Sequence, residues 1–172
     1  MKKSLPLLML FSLHHGMTHA VGSHCPDEAI FNCRLESGKV ASLCAVKSDR
    51  VSDEDQYLQY RMGRPGKVEF VFPRADRPQE RQFQYWSVHS RISAENSVEF
   101  RTPRARYEIV TTWYPEFNDM GEAVVNRPPG GVDTRILVHP IRGDDTTLQC
   151  VEATPLETPI LRNVQEMMKE RR

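Results

Sequence analysis

Along residues 57–62 the chain alternates: Leu58, Tyr60 and Met62 fall on one side, and Tyr57, Gln59 and Arg61 on the other. The same period of two recurs at 67–72, where Val68, Phe70 and Phe72 oppose Glu69 and Val71. It returns at 82–89, where Phe83, Tyr85, Ser87 and His89 oppose Gln82, Gln84, Trp86 and Val88. Alternation rich in β-branched and aromatic residues is the pattern of a strand with one buried face. Shorter runs of the same character cover 30–35, 40–46, Val98 to Arg101, Tyr107 to Tyr114, Ala123 to Asn126, Arg135 to His139 and Thr146 to Val151. The segments between them carry turn residues. Glu36-Ser37-Gly38-Lys39 and Gly63-Arg64-Pro65-Gly66 predict hairpin turns; Pro73 to Pro78, Pro115 to Gly121, and Asn126 to Asp133 around Pro128-Pro129-Gly130-Gly131 predict loops. Twelve prolines argue against long helices over residues 25–150. Amphipathic strands in series must each bury one face, so the predicted fold is mainly β, an antiparallel β-sandwich or a partly open barrel.

Both ends depart from this pattern. Lys2 and Lys3, the apolar run Leu5 to Leu13 and the small residues of Thr18-His19-Ala20 together predict a signal peptide over 1–20, cleaved after Ala20. Its apolar run is too short to cross about 30 Å of hydrocarbon, so no stable membrane insertion is expected. At the other end, Thr158 suits an N-cap and Pro159 the first helical position. Ile160, Leu161, Val164, Met167 and Met168 then recur at helical spacing, which predicts a C-terminal amphipathic helix or tail over 157–172. The β domain is expected to span 21–156.

Charge adds an exclusion. The chain has 23 Lys plus Arg and 23 Asp plus Glu among 172 residues. Loss of the leader would remove Lys2 and Lys3 and leave a slight acidic excess. A neutral chain has no global attraction for polyanions, so nucleic acid is not an expected partner.

Four cysteines in an exported chain predict two disulfides and a periplasmic or secreted location. Cys25, Cys33, Cys44 and Cys150 allow three pairings. A hairpin folded about Gly38-Lys39 would set Cys33 opposite Cys44, leaving Cys25 for Cys150. There is no C-x-x-C and no Cys/His spacing of the zinc type, so neither a metal nor a cofactor is expected. Asp53-Glu54-Asp55 lacks the spaced ligands of an EF-hand and reads as a solvated acidic loop.

Candidate chemistry is sparse. Ser87 and His89 share a strand face, but no G-x-S-x-G surrounds the serine, and a nucleophile needs a base that is itself oriented. Glu116 and Asp119, or Asp144 and Asp145, supply carboxylates without the opposed geometry of a glycosidase. The run Arg74 to Arg81 is basic but is interrupted by Asp76 and Glu80, as a solvated face would be. The clearest surface candidates are Arg101, Arg104 and Arg106 around Pro103, with Trp113 and Tyr114 nearby in sequence and Glu116 and Asp119 beyond them. Arginine and exposed aromatics are the composition of interface hot spots.

Cys25, Phe31-Asn32-Cys33, Gly38-Lys39, Cys44, Tyr57-Leu58-Gln59-Tyr60-Arg61-Met62-Gly63 and Pro65-Gly66-Lys67-Val68-Glu69-Phe70-Val71-Phe72-Pro73 form a recognisable set. Over residues 25–73 it resembles a group of small exported proteobacterial proteins without an assigned function. The Cys-bearing opening is also similar to periplasmic lysozyme inhibitors, small disulfide-stapled β-proteins. Together these readings predict a non-enzymatic binding protein of the bacterial envelope that meets a protein or glycan partner. Steric insertion of a loop into a cell-wall hydrolase is the concrete form. An envelope hydrolase and a structural envelope component are the competing expectations.

Overall fold

The alternating runs become strands, and nine strands join in one antiparallel sheet. The computed structural model describes residues 22–47, 56–74, 82–90, 93–121, 123–124 and 131–156. The strands are β1 (Glu28–Leu35), β2 (Val40–Lys47), β3 (Gln56–Arg64), β4 (Lys67–Phe72), β5 (Phe83–His89), β6 (Ala94–Arg101), β7 (Ala105–Tyr114), β8 (Glu116–Phe117), β9 (Ala123–Val124), β10 (Gly131–Pro140) and β11 (Thr146–Thr154). The sheet runs in the order β4-β3-β2-β1-β11-β10-β7-β6-β5, while among the described residues β8 and β9 pair only with each other. The signal peptide and C-terminal helix predicted from the sequence lie outside the described residues.

β11 joins the two halves of the sheet. Its first part pairs with β10, from Thr146 to Gln149, and its second part pairs with β1, from Cys150 to Thr154. A strand that changes partner at an irregularity is a way to turn a corner in a sheet. The sheet curls about this corner into a half-barrel, and the ring centroids of Phe72 on β4 and Phe83 on β5 come within 5.9 Å.

The concave face holds the core. Phe31, Leu43, Leu58, Tyr60, Val98, Phe100, Ile109 and Ile136 are buried there, each from the apolar side of its strand. Tyr60, Phe72 and Tyr107 all pack against the Phe100 ring, with centroids 4.9–5.0 Å away. Such aromatic pairs contribute about 0.5–1.5 kcal/mol each beyond the burial of their area. Leu156, fully buried, closes one end. Its N–H donates to Thr111 Oγ1 and its carbonyl accepts from Asn96 Nδ2.

The first hairpin corrects the expected disulfide pairing. Gly38 N–H donates to Leu35 C=O, and Leu35 N–H to Lys39 C=O, each at 2.8 Å, with Gly38 at φ 76°. This is a short loop closed by a left-handed glycine, and it sets the register. Cys33 therefore faces Ala41, and Cys44 faces Ala29. The three positions from Ala41 to Cys44 are an odd step, which puts the cysteines on opposite faces. Cys33 points into the concave core and bonds Cys150, while Cys44 points outward and bonds Cys25. Neither Cys33–Cys44 nor Cys25–Cys150 forms. The two bonds place the chain in an oxidising, non-cytoplasmic compartment.

Smaller differences follow from local geometry. The β3–β4 turn is only Pro65-Gly66, with Gly66 at φ 75°, so Gly63 belongs to the strand. The expected loop Asn126–Asp133 gives up Gly131, Val132 and Asp133 to β10, because these residues pair with Tyr114, Trp113 and Thr112. The expected loop Pro115–Gly121 contains β8, so a small ribbon stands where a loop was expected.

Candidate functional site

β7 and β10 are paired over ten positions, from Tyr114↔Gly131 at one end to Ala105↔Pro140 at the other. The candidate residues gather at these two ends. At about 3.4 Å per residue, the ends lie roughly 30 Å apart.

At the first end, β8 and β9 form a ribbon beyond Tyr114, pairing Glu116 with Val124 and Phe117 with Ala123. Its turn is built by Asn118. The Asn118 carbonyl accepts from Gly121 N–H at 2.9 Å, and its side-chain oxygen accepts from Met120 N–H at 3.0 Å. Asp119 and Met120 occupy the tip, where Met120 is 79% exposed. Tyr114, at the base, is 46% exposed, whereas Trp113 is half-buried on the other face of β7. The aromatic pair expected at one surface is therefore split between two faces. Glu116 and Asp119 share the ribbon, with Asp119 in its turn.

At the second end, the turn after β6 brings Arg101, Arg104 and Arg106 together. Thr102 Oγ1 accepts from the N–H groups of Arg104 and Ala105, and Thr102 N–H donates to the Ala105 carbonyl. This turn sets Arg101 directly opposite Arg106 across the strand pair. Like charges in that relation are destabilising. Glu99 offsets the cost: only 8% of its side chain is exposed, and it accepts from Arg101 Nε at 2.9 Å and Arg106 Nη1 at 3.3 Å. On the neighbouring strand, His139 Nδ1 meets Asp145 Oδ2 at 2.7 Å. Ile141 N–H donates to the Arg104 carbonyl at 2.9 Å, tying the end of β10 to the arginine turn. A depression of about 460 Å³ lies among Arg101, Thr102, Ala105, Arg106, His139 and Ile141.

The sequence alone points to the arginines but not to Glu99, His139, Asp145 or Ile141 as their neighbours. A hairpin centred on Pro103 and Arg104 pairs Arg101 with Arg106 and places Glu99 one step along the same face. That signal is local and could have been read. The approach of His139 and Ile141 depends on the β7–β10 register and could not.

The Ser87–His89 pair does touch. Ser87 Oγ lies 2.9 Å from His89 Nε2, but it also donates to Asn96 Oδ1 at 2.8 Å. A hydroxyl proton held by an amide oxygen is not held by the imidazole, and His89 is exposed on an edge strand. Of the basic run 74–81, residues 75–81 lie outside the described residues, and so does Asp53-Glu54-Asp55. Among the described residues no group of three or more His, Cys, Asp or Glu is placed to hold a metal ion. No described helix is long and apolar enough to cross a membrane.

A third cluster lies on the convex face of β1–β3. Asn32, Ser42 and Gln59 are buried there, under the segment that precedes β1. Ser42 Oγ donates to Asn32 Oδ1 and accepts from His24 N–H, while Arg61 bridges Gln59 Oε1 and the His24 carbonyl. Gln59 Nε2 donates to the Pro73 carbonyl, and Lys39 Nζ pairs with Glu69 at 2.7 Å. Polar residues of β1–β3 thus hold this part of the scaffold together, with Cys25 fastened to Cys44.

No family model, no curated protein and no solved structure matches this chain.

Proposed function

We propose that this protein is an exported, non-enzymatic binding protein of the bacterial envelope that inhibits a cell-wall hydrolase by inserting the β8–β9 ribbon into the enzyme's cleft. The observation that carries the reading is the ribbon's tip. Asn118 closes the turn through two hydrogen bonds, and Met120 stands 79% exposed above it. A tip already fixed in its turn loses little freedom on association, and association otherwise costs several kcal/mol. The unbranched methionine side chain adapts to an irregular apolar cleft. The ribbon follows directly on β7, which with β10 is one of the two longest strands of the sheet.

The experiment is a titration of the oxidised protein against c-, g- and i-type lysozymes, following cell-wall lysis. Saturable inhibition at stoichiometric protein is expected, with Met120→Asp weakening it and leaving the melting temperature unchanged. Failure to inhibit all three types removes this reading. Turnover of cell-wall substrate by the protein itself would replace it with the hydrolase reading, for which the Ser87–His89 contact is the first place to look.

A further inference from the structure

The arginine corner at the far end of β7 and β10 is a second site, independent of the ribbon. We propose that it binds the phosphate group of a small phosphate ester.

The corner carries a cost that the fold alone does not require. Arg101 and Arg106 face each other directly, and a sheet gains nothing from that juxtaposition. Glu99 holds both, yet it takes only Nε of Arg101 and Nη1 of Arg106. Each guanidinium has five N–H donors in a planar fork, so most of them remain for something else. The side chains are 73% and 40% exposed, which leaves those donors accessible. Glu99 acts here as a positioning residue. It fixes two cations side by side that would otherwise swing apart.

His139 lies directly opposite Arg106 across the strand pair and borders the depression. Its Nδ1 is committed to Asp145 and its Nε2 is shielded from solvent, so the imidazole is a wall of the depression and not a donor to its ligand. The walls are set by Thr102, whose hydroxyl is spent on the turn, and by the Ile141–Arg104 backbone hydrogen bond. The site is therefore preformed.

The donor set selects the ligand. A planar carboxylate is satisfied by one guanidinium fork, whereas a tetrahedral oxyanion takes donors from several directions at once. Two adjacent guanidinium groups, with donors left over on both, suit the tetrahedral group. The depression of about 460 Å³ has room for more than a bare ion and falls within the range of small-molecule sites. Ile141, 71% exposed, and Ala105 offer an apolar wall for the carbon skeleton of the ester.

The test is a titration of the oxidised full chain with inorganic phosphate, glycerol phosphate and acetate, followed by amide and arginine side-chain NMR, together with sedimentation of phosphatidylglycerol vesicles. Saturable shifts at Arg101, Arg106 and His139 with both phosphates, and weak or no response to acetate, are expected. Binding of glycerol phosphate without vesicle binding identifies a soluble ester. Vesicle binding that needs Arg101 and Arg106 identifies a lipid headgroup as the source of the same chemistry.

Arg106→Gln should weaken glycerol phosphate about tenfold, as loss of a charge-assisted bond does. Arg106→Lys keeps a cation beside Glu99 and should weaken binding less, which separates loss of the site from loss of the fold. Arg142→Gln removes the same charge from the next turn without touching the depression and should change little. No saturable shift with either phosphate, equal binding of acetate, or equal weakening by Arg142→Gln would each overturn the proposal.

Discussion

Arg61 Nη1 donates to the His24 carbonyl at 3.1 Å, so a side chain in the middle of β3 clamps the segment that precedes β1. Its Nε meanwhile holds Gln59 Oε1 at 2.6 Å. Removing this side chain strands two acceptors beneath the segment. Arg61→Ala is expected to cost about 2 kcal/mol, the range for partly buried bonds to a charged donor, measured by urea unfolding. Arg34→Ala is the contrast. The Arg34–Glu152 pair is equally short, but its side chains are 50% and 37% exposed, and its loss should cost no more than about 1 kcal/mol. Equal effects of the two substitutions would show that the clamp contributes nothing special.

Peptide mapping under non-reducing conditions should recover Cys25 joined to Cys44 and Cys33 joined to Cys150. The loops they close are unequal, with sequence separations of 19 and 117. On the loop-entropy account the first stabilises by about 3 kcal/mol and the second by about 5. Cys33→Ala/Cys150→Ala should therefore lower the unfolding midpoint more than Cys25→Ala/Cys44→Ala. Cys33 and Cys150 also sit in the concave core, which deepens the difference. A peptide linking Cys33 to Cys44 would show that the hairpin register is different from the one described.

Burial drives the Tyr60 phenol well above its ordinary pKa, with Tyr107 nearby adding in the same direction. Burial raises Tyr107 as well. An unfolded tyrosine ionises near pH 10. The stability tied to these neutral phenols is therefore complete below about pH 10 and is lost as pH rises above it, because the unfolded chain releases protons that the native one keeps. Unfolding midpoints measured between pH 8 and 11 should fall only at the alkaline end. Tyr60→Phe should flatten that fall at a cost within about 1 kcal/mol, since the hydroxyl makes only a 3.6 Å contact with Met62 Sδ.

Glu69 runs the other way. The hydrogen bond from Lys39 holds its carboxyl below the ordinary value; desolvation opposes it, and the charges of Lys39, Arg64 and Lys67 add to the lowering. Its contribution is present above about pH 4.3, the unfolded value, and is lost as pH falls through the lowered native value. Lys39→Met should remove most of the lowering, read as the Glu69 titration midpoint by NMR. An unchanged midpoint would mean that the ion pair does not persist in solution.

How much of this is legible in the sequence depends on the distance over which each feature is encoded. Alternation at Leu58-Tyr60-Met62 and Phe83-Tyr85 is local, and the faces it predicts are the faces observed. The strand and turn positions follow from the same local signals. Register is encoded less directly. A hairpin centred between Gly38 and Lys39 would join Cys33 to Cys44, whereas the left-handed Gly38 closes the loop at Leu35 and Lys39, and that shift exchanges every disulfide partner. Sites built across strands are the least visible. Arg101 and Arg106 stand out in the sequence, but His139 joins them only because β7 and β10 pair over their whole length. Glu99 reads as one more surface charge until its neighbours cover it.

Gly63 offers the sharpest test of the scaffold. It lies on β3 where the register with β4 shifts, so that it faces Val68 while Met62 faces Phe70. A Cβ at Gly63 would stand 2.1 Å from the Lys67 carbonyl oxygen and 2.7 Å from Glu69 N. Both are backbone atoms of the paired strand, so no side-chain movement relieves the clash. Gly63→Ala should cost about 3 kcal/mol, the upper part of the overpacking range, unless β4 leaves the sheet. Gly38→Ala meets no atom within 4 Å but sits at φ 76°, and should cost about 1–2 kcal/mol through backbone strain alone. Gly131→Ala meets neither obstacle and should be nearly neutral. Urea unfolding of the three variants should rank them in that order. If Gly63→Ala proved as mild as Gly131→Ala, β3 and β4 would not pair in the register that carries Glu69 to Lys39.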